Sequence, residues 1–445
     1  MENTKKHLVW VAGGLLVASS AVAQGSKPNV IIIYTDDQGT LDMGCYGASD
    51  LYTPNMDNLA AKGVQFTQFY AAPVSSVSRA CLMTGQFAKR AGLVNNAGKE
   101  GLALEKETIA ERLKNNGYNT ALIGKWHLGS AIENGPNNQG FDYFWGFRGG
   151  CIDSYSHFYY WAGPNVHDLW RNEREIHRPG RFFCDESLQE MKSFITDNKQ
   201  NPFFVYWAVN IPHYPLQPSE KWLDYYAGLS DPRRMYAAFL STLDEYVGEL
   251  QGFLAAEGLD ENTIIIFQSD NGHSMEVRTF GSGGYCGPYR AGKFSLFEGG
   301  IRVPAIISWP GKLPEGVKRD QLAMNIDWFP TILELCGIPV DNLDVDGKSL
   351  VPVIKNGEQA TPHKELHFDF GDQWAVRSGD WKLIGNPLDV KNNDKNEKLS
   401  DKLYLTNLVI DNAEQTNLAQ KHPEKVKELM RLRDKYIESI TPKTE

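Results

Sequence analysis

Hydrophobic residues in this chain gather in short unbroken runs, and most of the stretches between them are amphipathic. "NVIIIYT" (Asn29–Thr35) is a continuous β-branched run, the pattern of a strand buried on both faces. "TPNMDNLAAKG" then has helical spacing with Gly63 as its stop, and "KETIAERLKNNG" repeats that pattern with Gly117 as its stop. "YNTALIG", "PFFVYWAVN" (Pro202–Asn210), "NTIIIFQSD" (Asn262–Asp270) and "VPAIISWPG" supply four further strands. Strands alternating with helices predict an α/β fold with a mostly parallel central sheet, flanked by helices and joined by right-handed crossovers.

The pattern changes after about residue 350. "HKELHFDFGDQWAVRSGDWKLIG" reads as short strands joined by a tight "SGD" turn. From Pro423 to Ile440, apolar residues recur at helical spacing with charges between them. A small C-terminal antiparallel sheet with a covering helix is therefore expected. The expected organisation is a signal peptide over 1–23, a catalytic domain over 24–354 and a C-terminal subdomain over 355–445.

The N-terminus supports the first of these. Lys5 and Lys6 precede the short apolar core "LVWVAGGLLVASS", and "AVA" offers a small-residue cleavage site. The core is too short to span a bilayer. Export is expected, to the periplasm or the extracellular space of a Gram-negative bacterium. The six cysteines are scattered with no CxxC pair, which excludes a zinc ribbon and a dense disulfide scaffold but leaves room for one or two disulfides. The net charge of −10 argues against nucleic acid as a partner, yet leaves room for a local cationic pocket.

Chemistry concentrates where the runs stop. Four of them end in polar clusters: Asp36-Asp37, Lys125-Trp126-His127, Asn210 with His213, and Asp270-Asn271-Gly272-His273. Parallel strands place their carboxyl ends on one edge, where open α/β sheets bind ligands. Asp36, Asp37, Asp270 and Asn271 offer the oxygen ligands that a hard divalent cation prefers. Three carboxylates together would form an anionic site that needs such a cation. Arg79, Lys125, Lys293 and Arg302, with His127 and His213, would suit a tetrahedral oxyanion such as phosphate or sulfate. His127 or His213 is suited to donating the proton that a leaving oxygen requires.

The stretch "SSVSRACLMTGQ" (Ser75 to Gln86) resembles the signature of the type I, formylglycine-dependent sulfatases. Ser75 and Arg79 hold its first and last key places, and Leu82, Thr84 and Gly85 match its tail. "TDDQG", "GYNTALIGKWHLG", "NIPHYP", "QSDNGH" and "KFSLFEGGIRVPAIISWPG" extend the resemblance over nearly the whole mature chain. One position departs: Val77 stands where the family has Pro or Ala. Ser76 and Ser78 are read as local loop hydrogen-bonders, and Cys81 as a small buried residue.

This resemblance implies an alkaline-phosphatase-like core and a sulfatase acting on sulfate esters. It implies that Ser75 is oxidised to Cα-formylglycine, for a serine by a radical-SAM maturase. It implies one Ca2+ held by Asp36, Asp37, the modified Ser75, Asp270 and Asn271. Arg79 and Lys125 would hold the formylglycine, His127 would act as base, His213 as acid, and Lys293 would bind sulfate.

By analogy with exported serine-type members of the family it resembles, carbohydrate sulfates on host or marine glycans are the expected substrates. An arylsulfatase, or a phosphatase or phosphonate hydrolase of the same superfamily, is the alternative. A glycan-binding protein without catalysis follows if Ser75 is never converted. The aromatic stretch around His157 is either a sugar platform or a packed loop. His273, Arg278 and Arg290 lie on the glycine-rich loop beside the site, Gly272–Arg290, and are candidates for touching the sugar.

Overall fold

The computed structural model describes residues 27–159, 165–277, 283–391 and 397–441. The expected signal peptide and Arg278 lie outside them. A ten-stranded sheet forms the centre. Its strands, in chain order, are β1 (Asn29–Thr35), β2 (Gly63–Phe66), β3 (Asn119–Lys125), β4 (Tyr143–Phe147) and β5 (Trp170–Arg171). They continue with β6 (Arg174–Glu175), β7 (Phe203–Ala208), β8 (Thr263–Ser269), β9 (Ala305–Ser308) and β10 (Val317–Arg319). The spatial order is β10-β2-β9-β8-β1-β7-β3-β4-β5-β6.

The middle of the sheet, β8-β1-β7-β3-β4, is parallel throughout. The run "VPAIISWPG" departs from the parallel expectation, because β9 pairs antiparallel with β8. A β-branched run specifies burial but carries no direction, so the sequence pattern could not supply the orientation.

Period-two alternation along β1 sorts its side chains onto two faces. Val30, Ile32 and Tyr34 meet one apolar layer, with α2 (Ser75–Thr84), α3 (Ile109–Asn115) and α6 (Trp328–Leu335). Ile31 and Ile33 meet the other, with α1 (Pro54–Ala61), α4 (Phe183–Asn198) and α5 (Arg233–Ala256). Every residue of β1 is buried. At about 25 cal/mol per Å2 of apolar area, each such Ile or Val contributes roughly 1.5–3 kcal/mol.

Helix α3 stops as the sequence suggested, with Gly117 at φ 83°. Helix α1 does not use Gly63 in that way. It ends at Ala61 with Lys62 as its cap, and Gly63 opens β2. A side chain there would meet the Ile307 carbonyl at 2.3 Å, so close strand packing explains the glycine.

The C-terminal segment forms a four-stranded antiparallel sheet of β11 (Leu366–Phe370), β12 (Gln373–Ser378), β13 (Trp381–Gly385) and β14 (Leu403–Asn407). Helix α7 (Pro423–Ile440) covers it. A third apolar cluster joins this sheet to α2: Val77 and Cys81 pack with Leu366, Phe368, Ala375 and Tyr436. The six cysteines are all described, and none of them forms a disulfide. Among the described residues no helix is long and apolar enough to cross a membrane.

Candidate active site

Because β1, β3, β7 and β8 run parallel, their four polar ends meet on one edge. Asp36 and Asp37 follow β1, Lys125 ends β3, His213 follows β7, and Asp270 and Asn271 follow β8. Ser75 opens helix α2, a start that its serine-rich sequence had concealed. The partial positive charge of a helix N-terminus therefore faces the same edge.

The contacts are dense. Ser75 Oγ donates to Asp270 Oδ2 at 2.6 Å and accepts from Arg79 Nε at 2.9 Å. Arg79 Nη2 donates to Asp270 Oδ2 at 2.9 Å, and Nη1 donates to the Tyr206 hydroxyl at 3.1 Å. The Tyr34 ring lies 5.3 Å from the same guanidinium. Lys125 Nζ donates to Asp36 Oδ2 at 2.7 Å, and Lys293 Nζ to Asp37 Oδ2 at 2.8 Å. Three carboxylates thus face three cations. The anionic excess expected from the carboxylates alone is absent, because each acid holds a buried base.

Two oxygens in this network stay unbonded. Asp36 Oδ1 and Asn271 Oδ1 are buried with no hydrogen-bond partner. Leaving a buried acceptor unsatisfied costs about 1–3 kcal/mol. Asn271 is oriented by its amide nitrogen, which donates to Asp37 Oδ1 at 2.7 Å. Asp37 and His127 also sit in the left-handed region, at φ 63° and 55°. Each such non-glycine residue stores on the order of 1–3 kcal/mol, a strain that clusters at functional sites.

Burial would raise the Asp37 carboxyl, but Lys293 and then His213 hold it below the usual carboxylate range. Burial and the neighbouring Asp36 push Asp270 up. Burial lowers Lys125 despite Asp36, whereas Asp37 overcomes burial at Lys293 and raises it. Burial first, and then Lys125 and Arg79, drive His127 well below the usual imidazole range. His213 is driven down by burial as well, with Asp37 opposing. Both imidazoles are therefore held towards the neutral form.

These groups open onto a cavity of about 550 Å3. Ser75, His127, His213 and Lys293 line it, and so do Tyr159, His167 and Trp170. Sequence reasoning missed the last three. They lie in and just beyond the aromatic stretch, whose density was visible but whose facing was not. Tyr206, at the Arg79 guanidinium, was missed for a different reason: a tyrosine inside an apolar strand reads as core.

A family model described as Sulfatase matches residues 28–338, and one described as N-sulphoglucosamine sulphohydrolase, C-terminal, matches residues 291–433. The chain belongs to the sulfatase family. Arylsulfatase A of Homo sapiens is 33% identical over 403 residues, covering 83% of this sulfatase and 76% of that protein. N-acetylgalactosamine-6-sulfatase of Canis lupus familiaris is 33% identical over 399 residues, covering 83% and 74%. Among solved structures, Ps i-CgsB in complex with k-i-k-neocarrahexaose has a TM-score of 0.81 at 29% identity, covering 92% of this sulfatase and 93% of that chain. The sulfatase is accordingly a sulfuric ester hydrolase with an alkaline-phosphatase-like fold.

Several residues flagged in its sequence lie elsewhere. His157 is buried, with Nε2 3.0 Å from the Arg181 carbonyl, and packs as a loop residue rather than lining the cavity. Arg290 is committed to Asp389 at 2.7 Å and to the Tyr404 hydroxyl at 2.9 Å, bracing the C-terminal sheet. His273 is buried and offers its carbonyl to the Lys293 amide at 3.0 Å, so it supports that lysine's backbone. Arg302 donates to the Thr67 carbonyl at 2.6 Å and pairs with Glu298. Ser76 and Ser78 are not local loop hydrogen-bonders. They sit on α2 and reach distant segments, Ser76 to the Ala97 amide at 3.0 Å and Ser78 to Tyr34 and Asn325.

Proposed function

We propose that the chain is an exported hydrolase of carbohydrate sulfate monoesters, with Ser75 converted to Cα-formylglycine and one Ca2+ beside it. The observation that carries this reading is the placement of Ser75. Its oxygen sits between Arg79 and Asp270 on the wall of a cavity shared with both histidines and Lys293.

Asp36, Asp37, Asp270 and Asn271 would hold the calcium, with the converted Ser75. Asp36 Oδ1 and Asn271 Oδ1 support that set, since both are hard oxygen donors without a hydrogen bond, Asp36 Oδ1 having only Arg79 Nη2 at 3.9 Å. Calcium, when bound, polarises the sulfate oxygens and raises the net charge of the site to suit an anionic ester. Once converted, Ser75 would supply a hydrated aldehyde, with one hydroxyl as the nucleophile towards sulfur and a second whose deprotonation would release sulfate.

The chain's own residues do the rest. Arg79 and Lys125 fix and charge the position of the reacting oxygen. Lys293 binds the sulfate. His127, held towards the neutral form, takes the proton that releases sulfate. His213, once protonated at Nε2, a form that the nearby Asp37 favours, gives that proton to the sugar oxygen as the S–O bond breaks. In the structure its Nδ1 lies 2.7 Å from the Tyr214 carbonyl, which leaves Nε2 to face the site, 3.7 Å from Asp37.

The cavity volume lies within the range of small-ligand sites, and its Tyr159 and Trp170 rings suit the apolar faces of a sugar. The carbohydrates in the names of relatives, N-acetylgalactosamine-6-sulfatase and the neocarrahexaose complex, support the same class.

The test has two arms. Mass spectrometry of the Ser75 peptide from the native host should show a loss of about two mass units, one oxidation of a hydroxymethyl group. Turnover is then compared across sulfated mono- and disaccharides, an aryl sulfate, a phosphate monoester and a phosphonate. Faster hydrolysis of sulfated sugars supports the reading. Intact serine, or a preference for the phosphorus esters, overturns it.

A further inference from the structure

Away from the buried acids, another group of metal-ligating side chains stands at the outer wall of the cavity. His167, Glu175 and His177 each offer a ligand atom, and these atoms all lie within 4.8 Å of one another. His167 Nδ1 is 2.8 Å from Glu175 Oε1, and the His167 and His177 rings stack at 4.3 Å. We propose that His167, Glu175 and His177 form a binding site for a divalent transition-metal ion of the zinc type.

Local structure brings the three together. Val166–His167 pairs with Phe158–Tyr159, which fixes the first ligand. Trp170 and Arg171 pair with Glu175 and Arg174 across a turn that has Asn172 at φ 55°. Ile176 N donates to the Leu169 carbonyl at 2.9 Å, so the pairing runs on and carries His177 alongside His167. Glu175 and His177 are two residues apart on an extended segment and share a face.

The donor set decides the class of ion. Two imidazoles and one carboxylate are a ligand set for zinc, which keeps a fourth position for water or another ligand. Tetrahedral bonds of about 2.0–2.2 Å require ligand atoms roughly 3.4 Å apart. The observed cluster spans that spacing and needs only a small opening between His167 and Glu175. Calcium and magnesium prefer all-oxygen sites and would not compete here. An ion pair alone explains the arrangement less well. The His167–Glu175 contact accounts for two of the three groups and leaves the convergence of His177 on them unexplained. Since His167 also lines the catalytic cavity, the ion would stand in its wall. The proposal does not depend on the chemistry assigned to Ser75.

The test uses the full chain without a polyhistidine tag, stripped of metal and then held in excess calcium to fill any oxygen site. Zinc is titrated by calorimetry, and Co2+ is added separately as a spectroscopic probe. One zinc per chain and visible Co2+ absorption are expected. Both should be lost in His177→Ala, with affinity falling at least about 100-fold, the upper end of what even an outer partner costs. Glu175→Gln, at an exposed position, should weaken zinc as well and serves if His177→Ala does not fold. Wild type that binds no zinc in excess calcium, or binding unchanged in the folded variants, overturns the proposal.

Discussion

Arg79 lies one helical turn beyond Ser75 and reaches back to it, with Nε 2.9 Å from the Ser75 oxygen and Nη2 2.9 Å from Asp270. The guanidinium fork thus ties Ser75 to Asp270. Lysine cannot reproduce two directed bonds from one plane. Arg79→Lys should lower kcat by roughly 100- to 1,000-fold, the scale of losing one placed donor, with little change in far-UV circular dichroism. Arg79→Ala leaves Asp270 buried without its cation and should cost about 3–5 kcal/mol in denaturant unfolding.

Gly150 sets the room available to His127. A side chain there would come within 2.9 Å of His127 Nε2. The backbone at Gly150 is not left-handed, so alanine adds a clash but no backbone strain. Gly150→Ala should reduce kcat by roughly 10- to 100-fold through a displaced imidazole, with an unchanged unfolding midpoint. Steady-state kinetics beside a thermal melt separates the two effects.

Metal removal tests the oxygen cluster. A chelator should lower the unfolding temperature and turnover together, and added calcium should restore both. At a free concentration of one hundred times Kd, bound ion contributes about 2.7 kcal/mol. Asn271→Ala removes one unbonded oxygen and the donor to Asp37, so half-maximal protection should require more calcium. Equal calcium dependence in the variant and the wild type would remove Asn271 from the ligand set.

Acid should loosen the C-terminal sheet through His367. Burial first, and Arg433 second, lower this imidazole to about 3, while its ring stacks on Tyr436 of α7 at 4.3 Å. The unfolded value is about 6.5. Folding therefore favours the neutral form, and the stabilisation is complete above pH 6.5. As pH falls from there towards 3 the unfolded state takes the extra proton, at up to about 1.4 kcal/mol per pH unit. His367→Phe keeps a stacked ring without a titrating group. Its stability, followed by urea unfolding, should fall less steeply than wild type across that window.

What the sequence revealed, it revealed through burial. The runs that became β1, β3, β7 and β8 are apolar on both faces, and each stops at a polar cluster, so strand and site were read together. Helix α7 matched its bounds because its apolar stripe and its opening Pro423 are both local signals. Direction and facing are not local. The orientation of β9 depends on a partner strand, and Gly63 looked like a helix stop because its neighbour Ile307 is distant in sequence. His157 and Arg290 have the right chemistry for a sugar but point into packing. Tyr159, His167 and Trp170 reach the cavity because short strand pairings turn them inward.

Burial of α2 also sets an order of events in the life of the chain. Every residue from Ser75 to Thr84 is buried, and Val77, the departure from the family signature, packs in the cluster that joins this helix to the C-terminal sheet. A small molecule can enter the cavity, but a helix buried along its whole length gives a protein catalyst no access to the Ser75 backbone. Under the proposed function, conversion of Ser75 belongs to the interval between synthesis and folding. Folding then closes that interval, so a chain that folds early keeps its serine for good, and the active fraction of a preparation records a race already finished.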